Sequence, residues 1–123
     1  IKQLQPSYDG SVEFLPYRGG FSRGIFATEV VRTNISQGEI DKIYQHFYKD
    51  APFTFYSTRP IDMKQVVNTN KCIVHAERID DKLLITSCID NLLKGAAGQA
   101  VENMNLMFDI PEDTGLHLKS VAF

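Results

Sequence analysis

The chain has 123 residues, a formal net charge of −2, and ordinary shares of hydrophobic and charged residues, 43% and 23%. This length allows one domain with its own core. The 13 basic residues are scattered, so the sequence lacks the basic stripe that nucleic-acid binding requires. No apolar run approaches the roughly 20 residues that span a bilayer. The composition therefore indicates a single globular domain and excludes a nucleic-acid or transmembrane protein.

The first half of the chain predicts two strands, a helix and a third strand. Residues 11–15 and 25–33 have the composition of strands and flank a glycine-rich loop. Ser36, with Glu39 three residues later, has the spacing of a capping box, so a helix should begin there. Residues 53–56 predict a short strand. The helix carries an apolar stripe at i, i+3, i+4 and i+7, formed by Ile40, Ile43, Tyr44 and Phe47.

The second half predicts a hairpin followed by a helix. Residues 71–79 and 82–89 read as two strands joined by the tight connection Asp80-Asp81. A last helix is expected over residues 91–107, with Asp90 as its N-cap, and residues 116–123 are expected to pair as an edge strand. Together these elements predict an α+β fold, with a mixed, mainly antiparallel sheet and helices packed on one face. The buried side of the last helix is predicted to contain Leu93, Ala97, Val101, Met104 and Phe108.

The last helix is unusual because Gly95 and Gly98 lie in its first turns. Each interior glycine costs about 1 kcal/mol relative to alanine, so this backbone should approach another helix, a sheet or a ligand closely. Tight packing on the sheet is the simpler explanation. In the alternative, the helix faces a cofactor, and the Asn91 amide at its start recognises another amide, such as a nicotinamide carboxamide. No GxGxxG motif is present, so dinucleotide phosphates would bind elsewhere.

Two arginines, Arg18 and Arg23, lie in the glycine-rich loop. An arginine there can present its planar fork to a carboxylate or phosphate, although both could also form ordinary surface ion pairs. Arg23 is the better candidate for binding an anion, because it directly precedes a strand.

Neither the cysteines nor the histidines form a recognisable catalytic or metal-binding pattern. Cys72 and Cys88 lie inside predicted strands, where inert core thiols are expected, and their lack of a disulfide framework indicates a reducing, cytoplasmic setting. The three histidines, His46, His75 and His117, do not converge in the sequence, so neither a metal site nor a catalytic triad is predicted.

Residues 89–107 (IDNLLKGAAGQAVENMNLM), followed by PEDTGL at 111–116, closely resemble the C-terminal end of the N-acetyl-gamma-glutamyl-phosphate reductases. RGIFAT at 23–28 and VNTN at 67–70 match further segments of that family. The resemblance implies an aspartate-semialdehyde-dehydrogenase-like enzyme of arginine biosynthesis. Such an enzyme reduces N-acetylglutamyl 5-phosphate to the 5-semialdehyde with NADPH, through a cysteine thioester. It also implies that residues 1–123 are the substrate-binding and dimerisation portion, with a fold like the C-terminal domain of glyceraldehyde-3-phosphate dehydrogenase.

The resemblance assigns roles to four residues. Asn91, Lys94 and Gly95 are expected to lie beside the NADPH nicotinamide, with residues 91–107 as the cofactor-side helix. Arg23 is expected to hold the carboxylate or phosphate of the substrate. The family's nucleophilic Cys and its His lie in motifs that these 123 residues do not contain, so Cys72 and Cys88 do not inherit the nucleophile's role.

Three hypotheses follow about the chain as a whole. In the first, it is part of a longer reductase whose Rossmann domain is absent here; the chain alone is inactive and binds no cofactor. In the second, it is a stand-alone, non-enzymatic binding or assembly module of the same ancestry. The third, a small enzyme using Cys88, is the weakest. The hypothesis of a longer reductase also predicts a homo-oligomer. It further predicts exposed apolar surfaces where the missing domain and a second copy of the chain would pack.

Overall fold

The computed structural model describes residues 6–17 and 19–120, in which a five-stranded sheet is the central element. The strands are β1 (Glu13–Tyr17), β2 (Ile25–Arg32), β3 (Thr54–Ser57), β4 (Cys72–Ile79) and β5 (Lys82–Ile89). They are arranged in the order β1-β2-β5-β4-β3, and only the β3–β4 pair is parallel. The predicted α+β fold with a mixed, mainly antiparallel sheet is confirmed.

The β4–β5 hairpin forms where the sequence predicts it. Asp80 adopts a positive φ of 56°, a left-handed conformation that a short polar side chain tolerates in a tight turn. The first strand lies two residues later than predicted and runs through Pro16. It can do so because β1 is an edge strand, where a residue without an N–H need not pair on its outer side.

The first helix, α1 (Gln37–Phe47), begins at the predicted capping box, which is complete in both directions between Ser36 and Glu39. Its Ile40 is only 2% exposed and packs with Ala76 and Leu83 of the sheet. The stripe on this helix is only partly covered, because Ile43 and Phe47 stay 54% and 75% exposed.

The last helix starts later than predicted and in a different form. A π-helical turn (Leu93–Ala97) precedes the α-helix α2 (Gly98–Met107). In this turn the Gly95 and Ala97 N–H groups donate to the carbonyls of Asp90 and Leu92, five residues earlier. Such wide turns are often found at functional sites. The Asp90 side chain nevertheless accepts from the first backbone N–H groups, as its predicted capping role requires.

The predicted buried side of the last helix is wrong. Its buried residues are Gly98, Glu102 and Asn105, whereas Met104 and Phe108 are 45% and 69% exposed. The inward polar groups are satisfied by partners that a local apolar pattern cannot reveal. The Asn105 amide, for example, donates to the backbone carbonyls at positions 112 and 114.

The segment after α2 packs without forming a strand. Leu116 is buried, at 4% exposure, but residues 116–120 have no strand pairing, so the predicted edge strand is wrong for them. Residues 121–123 lie outside the described part of the chain. Within that part, none of the helices has the length and apolar character needed to cross a membrane.

Candidate functional site

The start of β2 and the end of β5 meet at an ion pair between Arg23 and Asp90. The Arg23 Nη2 lies 2.7 Å from Asp90 Oδ2, and its Nε lies 3.1 Å from the same oxygen. The Asp90 side chain is 0% exposed, whereas that of Arg23 is 29% exposed. Arg23 is therefore held through one edge of its guanidinium while part of the side chain still contacts solvent.

Asp90 also binds three backbone N–H groups, from Asn68, Leu92 and Leu93, at 2.7–3.0 Å. Burial by itself would raise the pKa of the Asp90 carboxyl. The hydrogen bonds from Asn68 N, Arg23, Leu92 N and Leu93 N outweigh burial and hold the pKa below its ordinary value. The carboxylate is thus charged at neutral pH and joins three separate segments of the chain.

Asn91 is fixed next to this ion pair. Its Oδ1 accepts from the Gly24 N–H at 2.7 Å, so its Nδ2 carries the donors that remain for a ligand carbonyl. Gly24 has a φ of 110°, and a Cβ there would lie 2.7 Å from the Met63 sulfur. The positive φ therefore favours glycine at this position, and a side chain there would also displace the flexible Met63 side chain.

Two grooves lie on either side of the loop that carries Arg23. One, of about 480 Å³, includes Asn91 in its lining; the other, of about 420 Å³, includes Arg23, Lys64 and Asn68. The second groove combines the cationic side chains of Arg23 and Lys64 with the Asp62 carboxylate, which accepts from the Lys64 N–H, and an apolar wall from Met63 and Val67. An anionic ligand with a short apolar chain fits this chemistry. Arg18 lies outside the described residues.

Lys94 points into a separate buried cluster. Its Nζ lies 2.6 and 2.8 Å from the two Glu102 carboxylate oxygens, and 5.6 Å from the centre of the Phe53 ring. Glu102 also accepts from Asn70 Nδ2 at 2.8 Å. The ammonium of Lys94 is therefore already paired within the domain.

The two glycines of the last helix are both closely approached, but Gly98 is the tighter. A Cβ on Gly95 would lie 3.3 Å from the Asp90 carbonyl oxygen and 3.4 Å from an Ile89 methyl carbon. A Cβ on Gly98 would collide with Asn70 Oδ1, a buried atom with no hydrogen-bond partner among the described residues. Packing on the domain therefore accounts for Gly98, the simpler of the two explanations considered for these glycines.

Neither of the two thiols is activated as a nucleophile. Cys88 is 1% exposed, and burial, with smaller contributions from Cys72 and Asp62, raises its pKa to about 12. Burial also raises the pKa of the half-buried Cys72. His75 is bonded through Nδ1 to the Ser57 carbonyl at 2.9 Å. In the described ranges no group of three or more His, Cys, Asp or Glu side chains could hold a metal ion.

The structure thus brings Arg23 and Asn91 to the same end of the sheet, where they line two neighbouring grooves, and leaves the Lys94 ammonium in a separate cluster. Sequence reasoning assigned Asp90 only a capping role and missed its bond to Arg23, 67 residues away. The one local signal was a charged residue directly between a buried strand and a glycine-rich turn.

Residues 1–91 match the family model described as semialdehyde dehydrogenase, dimerisation domain. The chain belongs to this family. The full 123 residues are also 58% identical to the N-acetyl-gamma-glutamyl-phosphate reductases of Bacteroides fragilis and Parabacteroides distasonis. The reductase of Christiangramia forsetii is 52% identical over the same length. The family places the chain among domains through which semialdehyde dehydrogenases associate.

These relatives are considerably longer than the chain. The 123 residues cover 38% of the length of each of the three reductases. The chain is thus homologous to a part of an oxidoreductase.

Proposed function

We propose that this chain forms the substrate-binding and dimerisation portion of an NADPH-dependent N-acetyl-gamma-glutamyl-phosphate reductase. The complete enzyme would reduce N-acetylglutamyl 5-phosphate to N-acetylglutamate 5-semialdehyde in arginine biosynthesis, in the cytoplasm. The observation that carries the proposal is the joining of Arg23 and Asn91 at one end of the sheet, through Asp90 and Gly24. This junction combines a guanidinium for an anionic substrate with an amide for a carboxamide.

In this proposal Arg23 binds the oxyanion of the substrate. Its guanidinium is planar and permanently charged, which suits bidentate pairing with a carboxylate or phosphate. The groove that it lines also contains Lys64 and Asp62, whose charges offset each other, so Arg23 supplies the net positive charge that attracts an anion. No residue of this chain acts as the nucleophile, since the reductase family uses a cysteine and a histidine from motifs outside these 123 residues.

Asn91, Lys94 and Gly95 are the proposed neighbours of the cofactor. The residues fit a nicotinamide, because Asn91 Nδ2 can donate to a carboxamide carbonyl while Oδ1 stays on the Gly24 N–H. Bound NADPH supplies the hydride, and this chain contributes only orientation. Since the Lys94 ammonium pairs with Glu102, it would not neutralise a cofactor phosphate, and only the remainder of the residue would border the nicotinamide.

The proposed dimer forms through the sheet face opposite α1. The strand register puts Leu15, Val30, Leu84 and Ile73 on this face, and Leu15 is 48% exposed. A second copy of the chain is the proposed partner, in agreement with the family's description as a dimerisation domain. The same face also carries the polar residues Thr28 and His75, and such a mixture of apolar and polar groups is common in protein interfaces.

The exposed end of α2 is the proposed contact with a cofactor-binding Rossmann domain. The exposed fractions are 55% for Leu106, 79% for Met107 and 69% for Phe108. Three consecutive large apolar residues in water form an unfavourable surface unless another domain covers them. This chain covers only 38% of the length of its relatives, so the rest of their length leaves room for a further domain.

The test is an assay of the complete protein that contains this sequence, with oxidation of NADPH in the presence of N-acetylglutamyl 5-phosphate as the readout. The proposal predicts activity in the complete protein and none in residues 1–123 alone. Within the complete protein, Asn91→Ala should raise the KM for NADPH, and Arg23→Ala should raise the KM for the acyl substrate. Gln45→Ala, an exposed change on α1, is the control that should alter neither.

A complete protein without reductase activity would contradict the proposal and would favour a non-enzymatic assembly module. Wild-type KM for NADPH in Asn91→Ala would remove the cofactor role of this residue. The oligomer is tested separately by light scattering of Leu84→Glu, which should yield monomers. Ile43→Glu, on an exposed position of α1, should leave the oligomer intact.

A further inference from the structure

The two edges of the Arg23 guanidinium have different surroundings. Asp90 occupies the side edge, formed by Nε and Nη2, with bonds of 3.1 and 2.7 Å to Oδ2. The terminal edge, formed by Nη1 and the second hydrogen of Nη2, donates to no group in the described part of the chain. The side chain lines the groove of about 420 Å³. The terminal edge is therefore the part of Arg23 available to an anion.

We propose that Asp90 is a positioning residue that fixes Arg23 so that its terminal edge alone receives the oxyanion of the substrate. This inference rests on the proposed function and goes beyond it, because Asp90 itself does not touch substrate or cofactor. With its side edge occupied, Arg23 can bind two anion oxygens in only one orientation. The substrate is thus held in a defined direction relative to the sheet.

Asp90 is suited to this role because it is rigid and fully bonded. Its carboxylate oxygens also accept from the N–H groups of Asn68, Leu92 and Leu93. These bonds anchor the carboxylate to the backbone at three points, so Arg23 is paired with an anion that cannot rotate away. Asn91, one residue later, is held by a separate hydrogen bond from the Gly24 N–H, so the cofactor side does not depend on the Asp90 carboxylate.

A positioning role makes a specific prediction about pairs of variants of the complete reductase. Asp90→Asn puts an amide donor where Arg23 and Asn68 also donate, so the orientation of Arg23 is lost. The expected result is a fall of about 100-fold in kcat/KM for the acyl substrate, mainly through KM, with little change in the KM for NADPH. Because Asp90 acts through Arg23, Asp90→Asn should add little to the loss in an Arg23→Ala background.

A control and a second variant separate this role from a loss of folding. Tyr56→Phe removes a 2.6 Å hydrogen bond to Asp41 elsewhere in the domain, and should lower stability without changing either KM. Arg23→Lys retains the charge but has a single ammonium, which Asp90 would occupy. It should therefore raise the KM for the acyl substrate nearly as much as Arg23→Ala, even if Asp90→Asn does not fold.

Three results would overturn the proposal while leaving the reductase assignment intact. The first is that the losses caused by Asp90→Asn and Arg23→Ala add in the double variant, while the wild-type enzyme is active. The second is an unchanged KM for the acyl substrate in Asp90→Asn. The third is wild-type behaviour of Arg23→Lys. An inactive wild-type protein would instead contradict the proposed function itself.

Discussion

Lys94 and Glu102 form a buried ion pair in which Nζ lies 2.6 Å from Oε2 and the side chains are only 13% and 7% exposed. The pair connects the π-helical turn to α2, and Asn70 donates to the same carboxylate. It is therefore a structural link at the base of the proposed cofactor-side helix.

Removing one partner of this pair should be costly. Lys94→Met leaves the Glu102 carboxylate buried without its cation, and we expect a loss of about 3–5 kcal/mol in the free energy of unfolding. The double variant Lys94→Met/Glu102→Gln should recover much of this loss, since a neutral amide can still accept from Asn70. Urea denaturation of the single and double variants measures both effects.

An exposed pair is the matched control. Lys49 and Asp50 are 58% and 86% exposed, so Lys49→Met should change the free energy of unfolding by less than about 1 kcal/mol. A Lys94→Met variant as stable as the Lys49→Met control would contradict a structural role for the buried pair.

Two glycines in helices should respond in opposite directions to alanine. Gly98→Ala puts a methyl group against Asn70 Oδ1 and 2.9 Å from the Leu93 backbone, so we expect a clear decrease in Tm. Gly38→Ala, in α1, meets nothing within 4 Å and should stabilise the protein by up to about 1 kcal/mol. Thermal unfolding of the two variants tests both predictions. A higher Tm in Gly98→Ala would contradict the close approach of Asn70 to Gly98.

The sequence predicted those features that depend on neighbouring residues. The capping box at Ser36 and the β4–β5 hairpin need only a few adjacent side chains, and both form as expected. The buried face of α2 was missed because its polar residues are satisfied from distant segments. The bond of Asn70 to Glu102 joins residues 32 apart in the chain. A periodicity argument, which assumes that buried means apolar, selects a neighbouring face, about 100° away around the helix.

The sequence supplied the candidate site residues but not the bonds between them. Arg23 and Asn91 were proposed from residue type, position and family resemblance, and their roles remain predictions; the structure adds that both are bonded at the same end of the sheet. Asp90, which joins them, is 67 residues from Arg23, and no local spacing rule relates such positions. Lys94 was expected beside a cofactor from the family resemblance, and the direction of its side chain is set by Glu102, eight residues later.

Removing the N-cap of α1 should destabilise the protein moderately. The Ser36 side chain accepts from the Glu39 N–H, and the Glu39 carboxylate accepts from the Ser36 N–H at 3.1 Å. Ser36→Ala should lower the free energy of unfolding by about 1 kcal/mol, whereas Gln45→Ala on the exposed side of the same helix should have little effect. Chemical denaturation distinguishes the two; equal stabilities would show that the cap contributes nothing.

Cys88 should stay unreactive in the folded protein and should lower stability at high pH. Its native pKa is raised to about 12 by burial, whereas an unfolded thiol ionises near 8.5. The native state thus retains a proton that the unfolded state releases. The stabilising contribution is complete below about pH 8.5 and is lost progressively as the pH rises toward 12.

Two measurements check this prediction. A disulfide reagent at pH 8 should label Cys88 only as fast as the protein unfolds, and the half-buried Cys72 should react sooner. Cys88→Ala should be less stable at pH 7 because it leaves a small cavity, but its stability should fall less steeply between pH 8.5 and 10. Rapid labelling of Cys88 in the native protein, or an unchanged pH slope in Cys88→Ala, would contradict the buried, protonated thiol.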